Sequence, residues 1–258
     1  MLKVLVIPND RKEMEEFRKN IVTYNNSQNS IDQKTFEANA TEFKRLQIEF
    51  KRKGMLVCIK QSDKYQYTKK EYKTSADLLN LNYELLQKFG LNNLKNINDF
   101  LVPLEKLLQV ILAFISTPQI ATQKKSKLLQ ANSEQNKKVL DFIRRNDVTL
   151  NDLISLWLLY IRTDYEKRNG DGRLPIPLYL IHCFGRYECG GNSSKITSLL
   201  SDSDNISKLI NLYKMTFSGY FNAWHVKNPE LGYNDMIKSE IDYMLMDQSR
   251  QMAIAMYP

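Results

Sequence analysis

The spacing of apolar residues changes along the chain, and each change predicts a different kind of element. Residues 2–7 alternate loosely between apolar and polar and stop at Pro8, which predicts a short strand followed by a turn. From residue 11 the apolar residues recur every three or four positions. This period predicts amphipathic helices over residues 11–24 and from residue 35 to the stop at Gly54.

The next stretch returns to short apolar runs. Residues 55–59 and 64–68 flank the polar triplet 61–63, an arrangement that predicts a β-hairpin. A lone strand at residues 2–7 needs a partner, and it could join this hairpin as a third strand. The sequence therefore predicts a small α+β unit over residues 1–73 with a hairpin or a three-stranded sheet.

All later periodicity is helical and predicts a multi-helix domain over residues 74–258. The predicted helices cover residues 75–89, 101–115, 121–131, 133–145, 150–168, 176–187, 203–226 and 234–256. The helix at 101–115 is apolar nearly all round, which predicts a central position, and the helix at 150–168 carries a broad buried stripe that includes Trp157. The fold class that follows is mainly α (α+β), and residues 201–205 form a weak linker candidate.

Charge and cysteine content narrow the class of protein. The chain has 37 Lys and Arg against 29 Asp and Glu, a net charge of +8, and a pI of about 9.2. This balance favours an anionic partner, nucleic acid above all. Three cysteines are too few for a disulfide framework, which is typical of a reducing compartment. No secretion signal or membrane span is recognised in the sequence, so we expect a cytoplasmic protein.

A run of carboxamides carries a resemblance to a known family. Residues 21–31 read IVTYNNSQNSI and are followed by Ala38-Asn39, a helix and the predicted hairpin. This order resembles the abortive-phage-infection (AIPR) family, in which a helix ends in a T-x-N-x-Q-N-x-I-like run before an S/A-N step, a helix and a hairpin. The resemblance is specific over residues 1–73 and fainter to about residue 145.

The resemblance implies a role in phage resistance, or antiviral defence. Longer family members have an N-terminal nuclease-like region that this sequence lacks, so the chain resembles their central and C-terminal part. It would then be a truncated gene, a separately encoded subunit or a fragment, and no family catalysis is carried over. The family hairpin includes a Glu-x-Lys, of which this chain retains only Lys60.

The carboxamides are the first candidate binding residues. Asn26, Gln28, Asn29 and Asn39 can donate and accept in one plane, which suits contact with adenine or with the phosphate–sugar backbone. A structural role is compatible with this, because such residues also end helices and hold loops by bonding to the backbone.

The second candidate group is basic and aromatic. Lys60, Lys64 and Lys69 surround the predicted hairpin, and Tyr65 and Tyr67 lie among them. Lysines with interleaved aromatic rings are typical of surfaces that contact phosphates and stack bases. The later basic groups at 124–127 and 144–145 are more typical of a solvated face.

No catalytic constellation, metal site or cofactor site is recognised. Glu-x-Lys, a component of restriction-type nuclease sites, occurs at 42–44, 49–51 and 71–73, but the first two lie on a predicted helix and the tripeptide is common. His182, Cys183 and Cys189 lack zinc-finger spacing and are interpreted as core residues.

Three hypotheses follow. The first is a non-catalytic part of a phage-defence protein that binds nucleic acid or a partner chain, such as an N-terminal subunit or a second copy of itself. The second is a metal-dependent nuclease complete in itself. The third is a scaffold or regulatory protein without affinity for nucleic acid.

Overall fold

Two three-residue strands pair in parallel and join the first described part of the chain to its helical body. The computed structural model describes residues 33–72, 74–94, 96–130, 133–169 and 177–256. Strand β1 (Leu56–Cys58) lies beside β2 (Leu101–Pro103), with Leu56 opposite Leu101 and Cys58 opposite Pro103. Among the described residues these strands are the whole of the sheet.

Twelve α-helices make up most of the described chain. In chain order they are α1 (Gln33–Arg52), α2 (Gln61–Tyr65), α3 (Ala76–Lys88), α4 (Leu104–Ile115), α5 (Pro118–Gln123), α6 (Glu134–Ile143), α7 (Leu150–Asn169), α8 (Pro177–Cys183), α9 (Ile196–Leu199), α10 (Ser203–Lys227), α11 (Tyr233–Met236) and α12 (Tyr243–Met256). Two π-helical segments, Gln66–Glu71 and Phe184–Cys189, continue α2 and α8, and short 3₁₀ turns cover Ile97–Phe100, Lys125–Lys127 and Ser193–Lys195. The mainly α fold class is confirmed.

Helix α4 is the centre of the core, as its apolar composition predicts. Nine of its twelve residues are buried, and it contacts α5, α6, α7 and α8 as well as β2. A helix that is apolar nearly all round has little polar surface to expose to water, so neighbouring elements must cover it. Its first predicted turn differs, because residues 101–103 form β2 instead of helix.

The predicted β-hairpin is wrong. Residues 55–58 do enter a strand, but its partner is β2, and residues 64–68 belong to α2 and the π-helix that follows it. The polar triplet 61–63 begins a helix, since the Asp63 carboxylate accepts the backbone N–H groups of Ile59 and Lys60 at 2.9 Å each. The strand predicted at residues 2–7 and the helix at 11–24 lie outside the described residues.

Most of the other predicted helices are present with shifted ends. The helix predicted at 121–131 is not formed as predicted, because α5 ends at Gln123 and a 3₁₀ turn covers Lys125–Lys127. The buried face predicted for α1 is confirmed at Phe43, Leu46 and Phe50. The last predicted helix is divided into α11 and α12. Helix α10 begins at Ser203, inside the stretch predicted as a linker, and Asp202 caps it.

The division into units 1–73 and 74–258 stays a prediction, with β1 before that boundary and β2 after it. No helix of the described ranges is long and apolar enough to cross a membrane.

A polar junction ties three helices together. Arg162 of α7 donates to the carbonyl oxygens of Phe89 and Gly90 at the end of α3, at 3.2 and 3.1 Å, and to Glu166 at 2.7 Å. Glu166 also forms an ion pair with Lys214 of α10. Burial alone would raise the pKa of Glu166, but the hydrogen bonds from Lys214 and Arg162 outweigh it and hold the pKa below its usual value.

The tight turn at Gly54 allows a direct test of the packing between α1, β1 and α3. Gly54 has φ +69°, and a Cβ there would lie 2.8 Å from the carbonyl oxygen of Leu78 and would overlap the side-chain amide of Asn82. We expect Gly54→Ala to lower the free energy of unfolding by about 2–5 kcal/mol, from left-handed backbone strain plus overpacking.

Gly190→Ala is the matched control for urea unfolding. Gly190 has φ +58°, but a Cβ at this position would meet nothing within 4 Å. Its substitution should cost only the backbone strain, about 1 kcal/mol. Equal losses for the two variants would contradict the close approach at Gly54.

The junction predicts a pH-dependent loss of stability in Glu166→Gln. Because the pKa of Glu166 is depressed in the folded chain, its carboxylate stabilises the fold above the ordinary pKa of 4.5, and that contribution is lost as the pH falls through the folded value. Urea unfolding should show a loss of about 1–3 kcal/mol at neutral pH that shrinks in acid. Glu84→Gln, at an exposed position of α3, serves as the control, and a loss that does not change with pH would contradict the ionic role.

Candidate nucleic-acid interface

Residues 60–70, termed the basic segment, follow β1 directly. They contain four lysines against one aspartate. That aspartate, Asp63, is engaged by backbone N–H groups and lies 3.3 Å from the amide nitrogen of Gln47 on α1. Its charge is therefore used to begin α2, while the lysines remain on the exposed side.

The lysines recur at helical spacing. Lys60 precedes α2, Lys64 lies within it, and Lys69 lies in the following π-helix, so the steps are four residues and then five. Lys60 is the extended residue that precedes the helix, whereas Lys64 and Lys69 lie about one turn apart within the helical run. All three lysines are exposed. Tyr65 is 59% exposed, and the ammonium of Lys70 lies 6.0 Å from the centre of its ring.

Tyr67 belongs to the opposite, buried side of the basic segment. It is 5% exposed, its hydroxyl lies 3.5 Å from the carbonyl oxygen of Val57, and burial raises its pKa. The ammonium of Lys51 lies 5.6 Å from the centre of its ring and pairs with Glu71 at 2.7 Å. Of the two tyrosines singled out in the sequence, Tyr65 offers its ring to solvent and Tyr67 anchors the segment in the core.

The carboxamide candidates are not brought into this surface by the described structure. Asn26, Gln28 and Asn29 lie outside the described residues, and Asn39 falls within α1. Their binding role stays a prediction.

The two later arginines are both paired with acidic side chains. Arg144, which directly follows α6, lies 3.2 Å from Glu42 of α1. Arg145 pairs with Asp147 at 2.6 Å, and this bond, with one from Ser193, lowers the pKa of Asp147 to about 2. Arg144 thus links the end of α6 to α1, whereas the pair of Arg145 with Asp147 is local, two residues apart in the chain.

The acids of the Glu-x-Lys tripeptides are engaged in ion pairs. Glu42 and Glu49 lie on α1, as predicted, where they pair with Arg144 and Arg45. Within the described ranges, no three His, Cys, Asp or Glu side chains lie close enough together to hold a metal ion.

The interpretation of His182, Cys183 and Cys189 as core residues is confirmed. All three are buried. Burial lowers the pKa of His182 to about 4 and raises that of each thiol to about 12, so all three are neutral at physiological pH. Nε2 of His182 lies 3.1 Å from the hydroxyl of Tyr243 on α12.

A pocket of about 450 Å³, not anticipated from the sequence, lies where β2 and the start of α4 face α7. Lys106 and Lys125 line it together with Trp157 and Tyr160. The predicted burial of Trp157 on α7 is confirmed, since its side chain is 2% exposed. The sequence gives no sign that residues 106, 125 and 160 meet, because three separate elements supply them.

Comparison with known proteins gives one result. The family model described as AIPR protein matches residues 1–253. No curated protein and no solved structure matches the chain. The resemblance of the sequence motifs ends at about residue 145, and the family match extends well beyond it. The match supports a role in phage defence by abortive infection. Because the match spans nearly the whole sequence, the chain belongs to the AIPR family.

Proposed function

We propose that this AIPR-family chain binds single-stranded nucleic acid through the basic segment and contributes binding, rather than catalysis, to phage defence. The observation that carries the proposal is the row of three exposed lysines, spaced four and five residues apart along the basic segment, with exposed Tyr65 next to Lys64. Lysines contact phosphates as point charges, and their count sets the salt dependence of binding.

Tyr65 is the reason for choosing a single strand. A ring that is 59% exposed can stack on a base only if that base is not already stacked inside a duplex. Stacking on one aromatic side chain contributes about 1–3 kcal/mol and tolerates any sequence. We therefore expect little base preference from this surface.

The segment is also anchored to the rest of the fold at two points. Asp63 fixes its first turn through two backbone hydrogen bonds, and Tyr67 fixes its middle from the core side. A preformed surface loses less conformational entropy on binding than a mobile one, so more of the contact energy remains as affinity.

Neutralising the row tests the proposal. In the triple variant K60Q/K64Q/K69Q, the slope of log Kd against log salt for a single-stranded oligonucleotide should fall by about 2, since each phosphate contact on a single strand accounts for about 0.7. Tyr65→Ala should weaken binding about tenfold with the slope unchanged. Fluorescence anisotropy at several salt concentrations measures both effects.

The matched control is K88Q/K208Q/K238Q, which removes the same charge from exposed lysines elsewhere. We expect it to retain most of the affinity and slope. If the two triple variants lose equal affinity for the oligonucleotide, only the net charge matters and the basic segment is not the binding surface. The absence of binding by the unaltered chain would contradict the proposal outright.

A parallel series with Mg²⁺ separates binding from cleavage. We expect the oligonucleotide to stay intact. Mg²⁺-dependent cleavage by the pure chain, abolished by changing one acidic residue, would favour the nuclease hypothesis instead.

A further inference from the structure

Helix α12 presents an apolar face to solvent. Four of the eleven large apolar side chains that are exposed in the described ranges lie on its 14 residues, namely Met244, Met252, Ile254 and Met256. Met244 and Met252 are 64% and 67% exposed, and Gln248 lies midway between them in the chain. Residues four apart follow one another along a ridge of a helix, so residues 244, 248 and 252 form one row, termed the methionine ridge.

The charged side chains of α12 are engaged by the element beside it. The two charged residues of this helix are Asp247 and Arg250. Asp247 accepts a hydrogen bond from the hydroxyl of Tyr187, and Arg250 pairs with Glu188 at 3.0 Å. Tyr187 and Glu188 both belong to the π-helix Phe184–Cys189. The methionine ridge itself therefore carries no charge.

We propose that the methionine ridge binds the same ridge of a second copy of this chain, with a two-fold axis at Gln248. In a two-fold interface each patch meets an identical patch, so the patch must complement itself. The ridge does so, because it reads Met, Gln, Met in either direction. A two-fold axis at Gln248 places Met244 of one copy beside Met252 of the other.

The carboxamide at the centre suits this arrangement. Gln248 is exposed, and its side chain has no hydrogen-bond partner among the described residues. A carboxamide both donates and accepts, so two of them meeting at a two-fold axis can bond to each other reciprocally. The methionines on either side are flexible, and this flexibility lets them pack against an identical surface.

Charge favours a second copy as the occupant. Each chain carries a net charge of +8, so two copies repel each other where lysine-rich surfaces meet. On the methionine ridge two copies can meet without opposing like charges. A charged partner would be recognised through a complementary charge, which the ridge does not offer.

The size of the ridge sets the strength of the dimer. A helix of 14 residues is about 21 Å long, so one ridge supplies less contact than the roughly 1,200–2,000 Å² that stable complexes bury. We expect a reversible dimer with a dissociation constant of about 10–100 μM. In sedimentation equilibrium the average mass should rise from 30.2 kDa towards twice that value as the concentration increases.

A charge placed at the axis tests the position of the interface. In Gln248→Glu two carboxylates meet, and the dimer should weaken at least tenfold because like charges across an interface repel. M244S/M252S should weaken it at least as much by removing the apolar contact. The matched control is Gln87→Glu, which adds the same charge at an exposed position of α3 and should associate as the parent does.

A mixing experiment tests the two-fold axis. Q248E and Q248K should each be mainly monomeric, whereas an equimolar mixture should associate at least tenfold more tightly than either alone, because opposite charges then face each other at the axis. A contact between position 248 and a different part of the second copy would give no such recovery.

The outcomes decide the proposal without reference to nucleic acid, which is absent from every sample. A parent chain that stays monomeric throughout this concentration range would overturn it, as would equal association in Q248E and Q87E or a mixture that does not recover. A monomeric chain that sediments with phosphatidylcholine vesicles, and loses this binding in M244S/M252S, would assign the ridge to a lipid surface instead.

Discussion

The pairing of β1 with β2 is the constraint on which the basic segment and the pocket beside β2 depend. Leu56, Val57 and Val102 are fully buried, so the backbone N–H and C=O groups of these strands need partners within the protein. The strand pairing supplies part of them, and the carbonyl oxygen of Val57 also accepts a hydrogen bond from the side-chain amide of Gln47 at 2.9 Å. The register then fixes where each strand ends. β1 ends two residues before Lys60, the first residue of the basic segment, and β2 ends at the pocket and at the start of α4.

The rest of the described core extends from α4. Because that helix is apolar almost all round, α5, α6, α7 and α8 must cover it, and α7 thereby brings Trp157 and Tyr160 to the edge of β2. Farther along α7, Arg162 and Glu166 reach the end of α3 and the middle of α10. The polar groups on α7 thus tie the end of α3 and the middle of α10 to the centre, while its apolar face packs on α4.

Local patterns predicted most of the long helices, but they did not show which strands pair with each other. Phe43, Leu46 and Phe50 show the face of α1 by their spacing, and the continuous apolar run of α4 shows its central place. The hairpin prediction failed because β1 pairs with a strand much later in the chain, and because Asp63 begins a helix where a turn was expected. The lysines of the basic segment could be identified from the sequence. The two tyrosines could not be told apart, because a strand would place residues 65 and 67 on the same face, whereas the helix leaves Tyr65 exposed and buries Tyr67.

The central claim, that nucleic acid lies along the basic segment, is tested most directly by photo-cross-linking. The whole chain would be irradiated with a single-stranded oligonucleotide carrying a photoreactive base, digested, and mapped by mass spectrometry. We expect the principal adducts to fall on the peptide containing Tyr65, which presents the exposed ring. Adducts confined to peptides from α10 and α12, with none between Lys60 and Glu71, would contradict it.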